Sequence, residues 1–308
     1  MTFKQPLARA GRLPLGSDGS IPSAGHRVKS PIAYPGAKIK IAGWIVDHLP
    51  KHRVYVEPFS GSASVFFRKN AAECEVLNDR NGDITHYLTV VRDRPSELRE
   101  WLEETPYSRQ YFNEIKERWF DEGERPDDPI QRAGEYFAVL EQGYTGDLEP
   151  GGFSRPSVHT NTWKVRTWEN KIDERIDAAA ERLRDACIER LDYRECIDAY
   201  DCEDAVVYCD PPYFDRSTDY GAEDFCHEVF AEAVRGLDAR VVVSYDDLPP
   251  SFIDLINEDD WVVAEKDATR TVVNYQETDE VKERLVMNFD PHAVTVTSQS
   301  SLEGAAGD

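Results

Sequence analysis

Ala205-Val206-Val207-Tyr208-Cys209-Asp210-Pro211-Pro212-Tyr213 is an apolar run that ends abruptly in a carboxylate, two prolines and an aromatic ring. A short apolar run of this composition predicts a buried strand. Proline cannot donate to a sheet ladder, so Pro211 and Pro212 stop the strand at once. What is left at its C-terminal edge is a carboxylate, a rigid pair of carbonyls and the Tyr213 ring. These are acceptors for the N–H donors of a flat, amino-bearing ring, with a face for that ring to stack on. The bland alternative is a Pro-Pro turn carrying a surface tyrosine.

Working outward, other strands precede and follow. Val54-Tyr55-Val56 runs into Glu57-Pro58-Phe59-Ser60-Gly61-Ser62-Ala63-Ser64 and then a helix through Val65, Phe66 and Phe67. Glu75-Val76-Leu77 reads as a second strand ending at Asn78-Asp79. Downstream come Arg240-Val241-Val242-Val243-Ser244 and a terminal pair around Trp261-Val262-Val263 and Arg284-Leu285-Val286-Met287. Strands alternating with helical patterns predict an α/β fold with an open, mostly parallel sheet. Residues 95–185 differ: helix-like over 95–119 and 130–140, then a loop rich in Gly, Pro and Thr over 143–162. This region reads as an insertion that divides the α/β domain into residues 30–94 and 186–290. Residues 1–29 and 291–308 lack periodicity and read as a disordered leader and a flexible tail.

Composition narrows the function classes. With 308 residues the chain has room for one large or two modest domains. No apolar stretch approaches the roughly 20 residues of a membrane span, and the N-terminus has no apolar signal segment, so a cytoplasmic protein is expected. The six cysteines are scattered without a C-x-x-C pair, which argues for reduced thiols and against a structural metal. The formal net charge is -23, from 59 acidic and 36 basic residues. Such a surface suits a halophilic protein kept soluble in high salt, and it opposes non-specific binding to a polyanion. Any nucleic-acid role then needs a local basic patch. Residues 150–171 supply one: Arg155, Lys164, Arg166 and Lys171 against a single acidic residue, Glu169, beside Trp163 and Trp168.

Two upstream motifs point to a nucleoside ligand. The turn from Glu57 to Ser64 joins a strand to a helix, and Asp79 stands 18 positions after Gly61, near the roughly 20 expected between such a turn and a ribose-binding carboxylate. The turn lacks a longer glycine run and a P-loop lysine, so a nucleoside without a pyrophosphate fits better. Tyr34-Pro35-Gly36-Ala37-Lys38 precedes an amphipathic helix over 39–49. It would set Lys38 near the charged end of the ligand, with Tyr34 against it.

In chain order, Tyr34-Pro-Gly-Ala-Lys38, Glu57-Pro-Phe-Ser-Gly61, Asn78-Asp79-Arg-Asn81 and Asp210-Pro-Pro-Tyr213 resemble the Dam-type DNA adenine-N6 methyltransferases, in the order of the alpha group of amino-methyltransferases. The likeness runs from about residue 30 to 290 and includes Glu283-Arg284-Leu285-Val286-Met287-Asn288, similar to the family's last strand. It implies a Rossmann-like methyltransferase sheet with a helical and loop target-recognition insertion, and S-adenosylmethionine as cofactor. Tyr34, Lys38, Asp79 and Asp210 fall on its contact positions, with Glu57, Phe59 and Gly61 in the turn and Asp192 and Tyr193 in a short motif beside the cofactor adenine. Asp210, Pro211, Pro212 and Tyr213 then form the catalytic motif. The resemblance also implies double-stranded DNA as the partner, with the target base flipped out of its stack. Arg155, Lys164 and Arg166 become candidate DNA contacts, and no metal, no membrane and a monomer are expected.

Gly143-Tyr144-Thr145-Gly146 and Gly152-Phe153-Ser154-Arg155-Pro156 resemble the family's recognition loop, with Thr145 and Ser154 where Asn is usual. The recognition sequence is therefore left open. His227 resembles a family position, with a packing or helix-surface role as the alternative. Cytosine-N4 methylation and a non-catalytic DNA-binding role use the same scaffold; Asp210 favours adenine.

Overall fold

A computed structural model of the chain describes residues 28–143, 149, 151–155, 164–213, 225–259, 261–271 and 278–291. Its centre is a seven-stranded sheet ordered β3-β2-β1-β4-β5-β7-β6. The strands are β1 (Val54–Glu57), β2 (Cys74–Asn78), β3 (Ala186–Glu189), β4 (Ala205–Cys209), β5 (Arg240–Tyr245), β6 (Val262–Thr271) and β7 (Thr278–Met287). Strands β1 to β5 pair in parallel; β7 runs antiparallel to β5 and to β6. The expected mostly parallel α/β sheet is therefore present, closed by an antiparallel pair.

Side-chain alternation assigns the two faces. Tyr55, Val206, Tyr208, Val242, Leu285 and Met287 join one core, while Val56, Val207, Cys209, Val241, Val243 and Val286 join the other. The second core is covered by α8 (Tyr193–Tyr200), α9 (His227–Arg235) and α10 (Pro250–Glu258). The first is covered by α1 (Ala42–His48), α2 (Ser64–Arg68), α3 (Gly82–Asp93) and the helices of the middle region. Both faces being covered explains why β4 is a continuous apolar run, all five of its residues buried.

The middle region packs into the first core. Its helices are α4 (Pro95–Glu104), α5 (Arg109–Lys116), which continues as a π-helical turn over Glu117–Asp121, α6 (Pro129–Gln142) and α7 (Lys164–Leu183). The single helical stretch expected over 95–119 is split: α4 ends at Glu104, and Pro106 follows at once. α4 and α6 approach so closely that a Cβ on Gly134 would lie 2.1 Å from the Trp101 ring. α7 is not among the helices expected from the sequence. Yet Trp168, Ile172, Ile176, Ala180 and Leu183 recur every three or four residues and are buried. Arg182 pins this helix to the sheet, paired with Glu75 and lying 3.6 Å from the Phe66 ring centroid. Trp168 packs against Phe137, with ring centroids 5.1 Å apart. Lys171 pairs with the buried Glu141. Two members of the expected basic, Trp-bearing patch thus face inward, because the helical period turns them to the core side; Trp163 lies outside the described residues.

Candidate active site

The strand order reverses between β1 and β4, and in open α/β sheets ligands bind outside the carboxyl ends of strands at such a switch point. A cleft of about 1180 Å³ opens there. Its lining brings together nearly every site residue expected from the sequence: Tyr34, Lys38, Glu57, Phe59, Gly61, Asp79, Asp192, Tyr193 and the Asp210-to-Tyr213 turn. Arg155, Lys164 and Arg166 do not line it.

The β1 side is self-contained. Gly61 has φ +46°, and a Cβ there would meet the Tyr34 ring at 3.1 Å, so this position requires glycine. The Gly61 N–H donates to Asp79 Oδ2 at 2.8 Å and the Asn81 N–H to Asp79 Oδ1 at 2.9 Å. Helix α2 starts after Ala63, which has φ 53° and no side chain able to cap. Glu57 does that work from the preceding strand, its Oε1 accepting the Phe66 N–H at 2.8 Å and the Tyr55 hydroxyl at 2.7 Å. Burial pushes the Glu57 carboxyl up to about 8, against those two donors and Lys69. Burial also raises Asp79, opposed by its two backbone donors.

The β4 side is built around one lysine. Lys38 is only 8% exposed, and its Nζ lies 2.7 Å from Asp210 Oδ1, 3.7 Å from Glu283 Oε1 and 3.2 Å from the Gly36 carbonyl oxygen. The same nitrogen sits 4.5 Å from the Tyr213 ring centroid. Ser244 donates to Asp210 Oδ1 at 3.1 Å, and the Tyr213 hydroxyl donates to Glu283 Oε1. Burial raises both carboxyls, Asp210 and Glu283, and Lys38 pulls both back. Facing them, Phe59, Tyr193 and Phe225 form an aromatic wall with ring centroids 5.2 to 5.7 Å apart. Asp192 caps α8, accepting the Arg194 N–H at 3.0 Å and pairing with its guanidinium.

Residues 34–258 match the protein family described as D12 class N6 adenine-specific DNA methyltransferase. The chain belongs to that family. DNA adenine methylase of Vibrio cholerae serotype O1 is 26% identical over 194 residues, covering 61% of this chain and 66% of that relative, just under two thirds of its length. DNA adenine methylase of Escherichia coli K12 is 26% identical over 182 residues, 59% of this chain and 64% of the relative. The type II methyltransferase M.CviBI of Paramecium bursaria Chlorella virus NC1A is 23% identical over 207 residues, 65% of this chain and 75% of the relative.

Within this D12-class chain, several residues around the cleft lie outside the expected site set. Asn78 knots the site together: its Nδ2 donates to the Pro58 carbonyl at 2.9 Å, and its Oδ1 accepts the Leu191 N–H at 2.7 Å. It belongs to the quoted Asn78-Asp79 motif, so a signal existed. Glu283 opens the family-like last-strand motif, Ser244 ends a predicted strand and Phe225 stands two positions before His227. No local pattern gives any of them a role, because their strand and helix ends meet at the cleft only through the sheet order. His227 is buried, with Nδ1 2.9 Å from the Tyr245 hydroxyl, in accord with a packing role. Arg155 and Arg166 are exposed, and Lys164 is half-buried at the start of α7. Phe153, two residues before Arg155, bridges to Gly143 and packs on Tyr107. Among the described residues no group of His, Cys, Asp and Glu is arranged to hold a metal, and no helix is long and apolar enough to cross a membrane.

Proposed function

We propose that this chain transfers a methyl group from S-adenosylmethionine to the N6 amino group of an adenine flipped out of double-stranded DNA. The supporting observation is the single cleft in which Asp210-Pro211-Pro212-Tyr213 faces the Gly61 turn, Lys38 and the aromatic wall. Small-molecule sites span roughly 300–1,000 Å³, so about 1180 Å³ suits a nucleoside cofactor and a flipped base together. The aromatic faces suit a flat purine, and the tight Gly61 turn admits close approach of a ribose. Asp79 and Lys38 suit its hydroxyls and its charged end. When bound, the sulfonium supplies an already activated methyl group.

The chain's own task is positioning and charge. An adenine amino group is a weak nucleophile because its lone pair is delocalised into the ring. Asp210 and the Pro211 carbonyl each accept one N6 hydrogen, which favours a tetrahedral nitrogen and frees the lone pair. Pro212 keeps the turn rigid, and Tyr213 stacks on the base. Asp210 is also the carboxylate that would take the proton N6 sheds after transfer. Arg155, Lys164 and Arg166 contact DNA phosphates or bases outside the cleft, giving an acidic chain a local purchase on a polyanion. The test is labelled S-adenosylmethionine with unmethylated duplex DNA, in low and molar salt, followed by digestion to nucleosides. Label in N6-methyldeoxyadenosine is expected. Label confined to cytosine, or none while the cofactor still binds, overturns the proposal.

A further inference from the structure

Lys38 holds the acceptor that the substrate needs. Asp210 Oδ1 is engaged by both the Lys38 ammonium at 2.7 Å and the Ser244 hydroxyl at 3.1 Å. An amino group presenting an N–H to Oδ1 competes with a full positive charge for that oxygen. The ammonium therefore needs a second seat, close by and of equal charge, or its withdrawal strands it in a site where it is only 8% exposed.

Glu283 provides that seat. Its Oε1 is 3.7 Å from Lys38 Nζ, one ångström farther than Asp210, and its side chain is only 8% exposed. The antiparallel register that sets Arg284 opposite Tyr245 brings Glu283 to the cleft end of β5. The Tyr213 hydroxyl donates to the same Oε1, so the carboxylate is held in place when the lysine arrives.

We infer that Glu283 is a positioning residue for the transfer: it receives the Lys38 ammonium as the adenine amino group takes its place on Asp210. This inference rests on the proposed function. Two carboxylates share one ammonium throughout, so the exchange moves a charge by about an ångström without creating an unpaired one. Glu283 touches neither reacting atom and acts through Lys38 and Tyr213.

The experiment measures kcat on duplex DNA at saturating cofactor, alongside S-adenosylmethionine affinity by calorimetry. Glu283→Gln offers the lysine no charged seat, leaving it locked on Asp210. A fall in kcat of about tenfold, with cofactor affinity changed less than about twofold, is expected. Glu283→Asp, which keeps the charge one methylene short, is expected to recover part of that loss. In a Lys38→Gln background, where nothing needs reseating, Glu283→Gln is expected to cost less than about twofold more. Parental kcat in Glu283→Gln overturns the inference, as does the same proportional loss in both backgrounds, which marks Glu283 as a support for Tyr213 alone. Should Glu283→Gln fail to fold, Glu283→Asp decides: a lowered kcat at unchanged cofactor affinity supports the exchange, and a parental kcat overturns it. Parent protein that places no label on adenine overturns the proposed function instead, so the two failures are distinguishable.

Discussion

The cleft has two sides, each holding one buried and one half-buried carboxylate, Glu57 with Asp79 and Glu283 with Asp210, whose protons are held more tightly than in water. On the β1 side, Glu57 and Asp79 accept from the Phe66, Gly61 and Asn81 backbone N–H groups, with the Tyr55 hydroxyl the one side-chain donor described, on Glu57. On the β4 side, Asp210 and Glu283 accept from Lys38, Ser244 and Tyr213 side chains. Backbone donors are fixed by the fold, so the first pair is committed to shaping a turn and starting a helix. Side-chain donors can rotate away, so the second pair can change partners within the site. Desolvation is common to both pairs; the kind of donor distinguishes the carboxylates whose present partners are fixed from those that can exchange them.

The sharpest way to break that contrast is Asp210→Ala. It is expected to lower methyl transfer by at least about a hundredfold while leaving the thermal unfolding midpoint close to the parent's. Residual activity near the parent level removes Asp210 from the mechanism. On the opposite side, Gly61→Ala places a methyl group 3.1 Å from the Tyr34 ring at φ +46°. The expected result is roughly tenfold weaker S-adenosylmethionine binding by calorimetry; unchanged affinity shows that the turn does not seat the cofactor.

A control outside both pairs is Arg155→Ala or Lys164→Ala. Each is expected to weaken DNA binding several-fold and reduce the salt slope by about one, with cofactor affinity intact. A cofactor defect in either variant argues against a separate DNA-reading surface. The smallest effect is a pH dependence of stability. Glu57 titrates near 4.5 when unperturbed and is pushed up to about 8 on folding, chiefly by burial. The native state therefore binds this proton more tightly, and the associated stability is whole below about 4.5 and fades as pH rises through about 8. Glu57→Gln is expected to flatten the fall in unfolding midpoint between those values in scanning calorimetry. Identical slopes in both proteins would refute this assignment of the charge.

Legibility in the sequence followed burial and length. β4 and β5 are continuous apolar runs, and their limits in the structure match the expected ones to within a residue. β3 has no counterpart among the strands expected from the sequence. It is four residues long, pairs only with β2 at the sheet edge and has one buried residue, which leaves no periodic signal. α7 carries a clear apolar period, but its start is obscured by a preceding Gly- and Pro-rich loop and by Lys164 and Arg166, whose charge dominates its first turn. Trp168 is buried and Lys171 half-buried on the core side of α7, away from the basic patch expected for residues 150–171.

By itself the sequence determined the strand-ending turns, because proline and glycine act through local backbone geometry that no distant contact is needed to impose. It also determined the family likeness, carried by short motifs in a fixed order. Tertiary structure alone decided which charged groups meet. Lys38 lies before the first strand, Asp210 after the fourth and Glu283 within the last, and only the strand order and antiparallel β7 register bring them within 4 Å. Charge interactions are read across space, whereas turns are written along the chain.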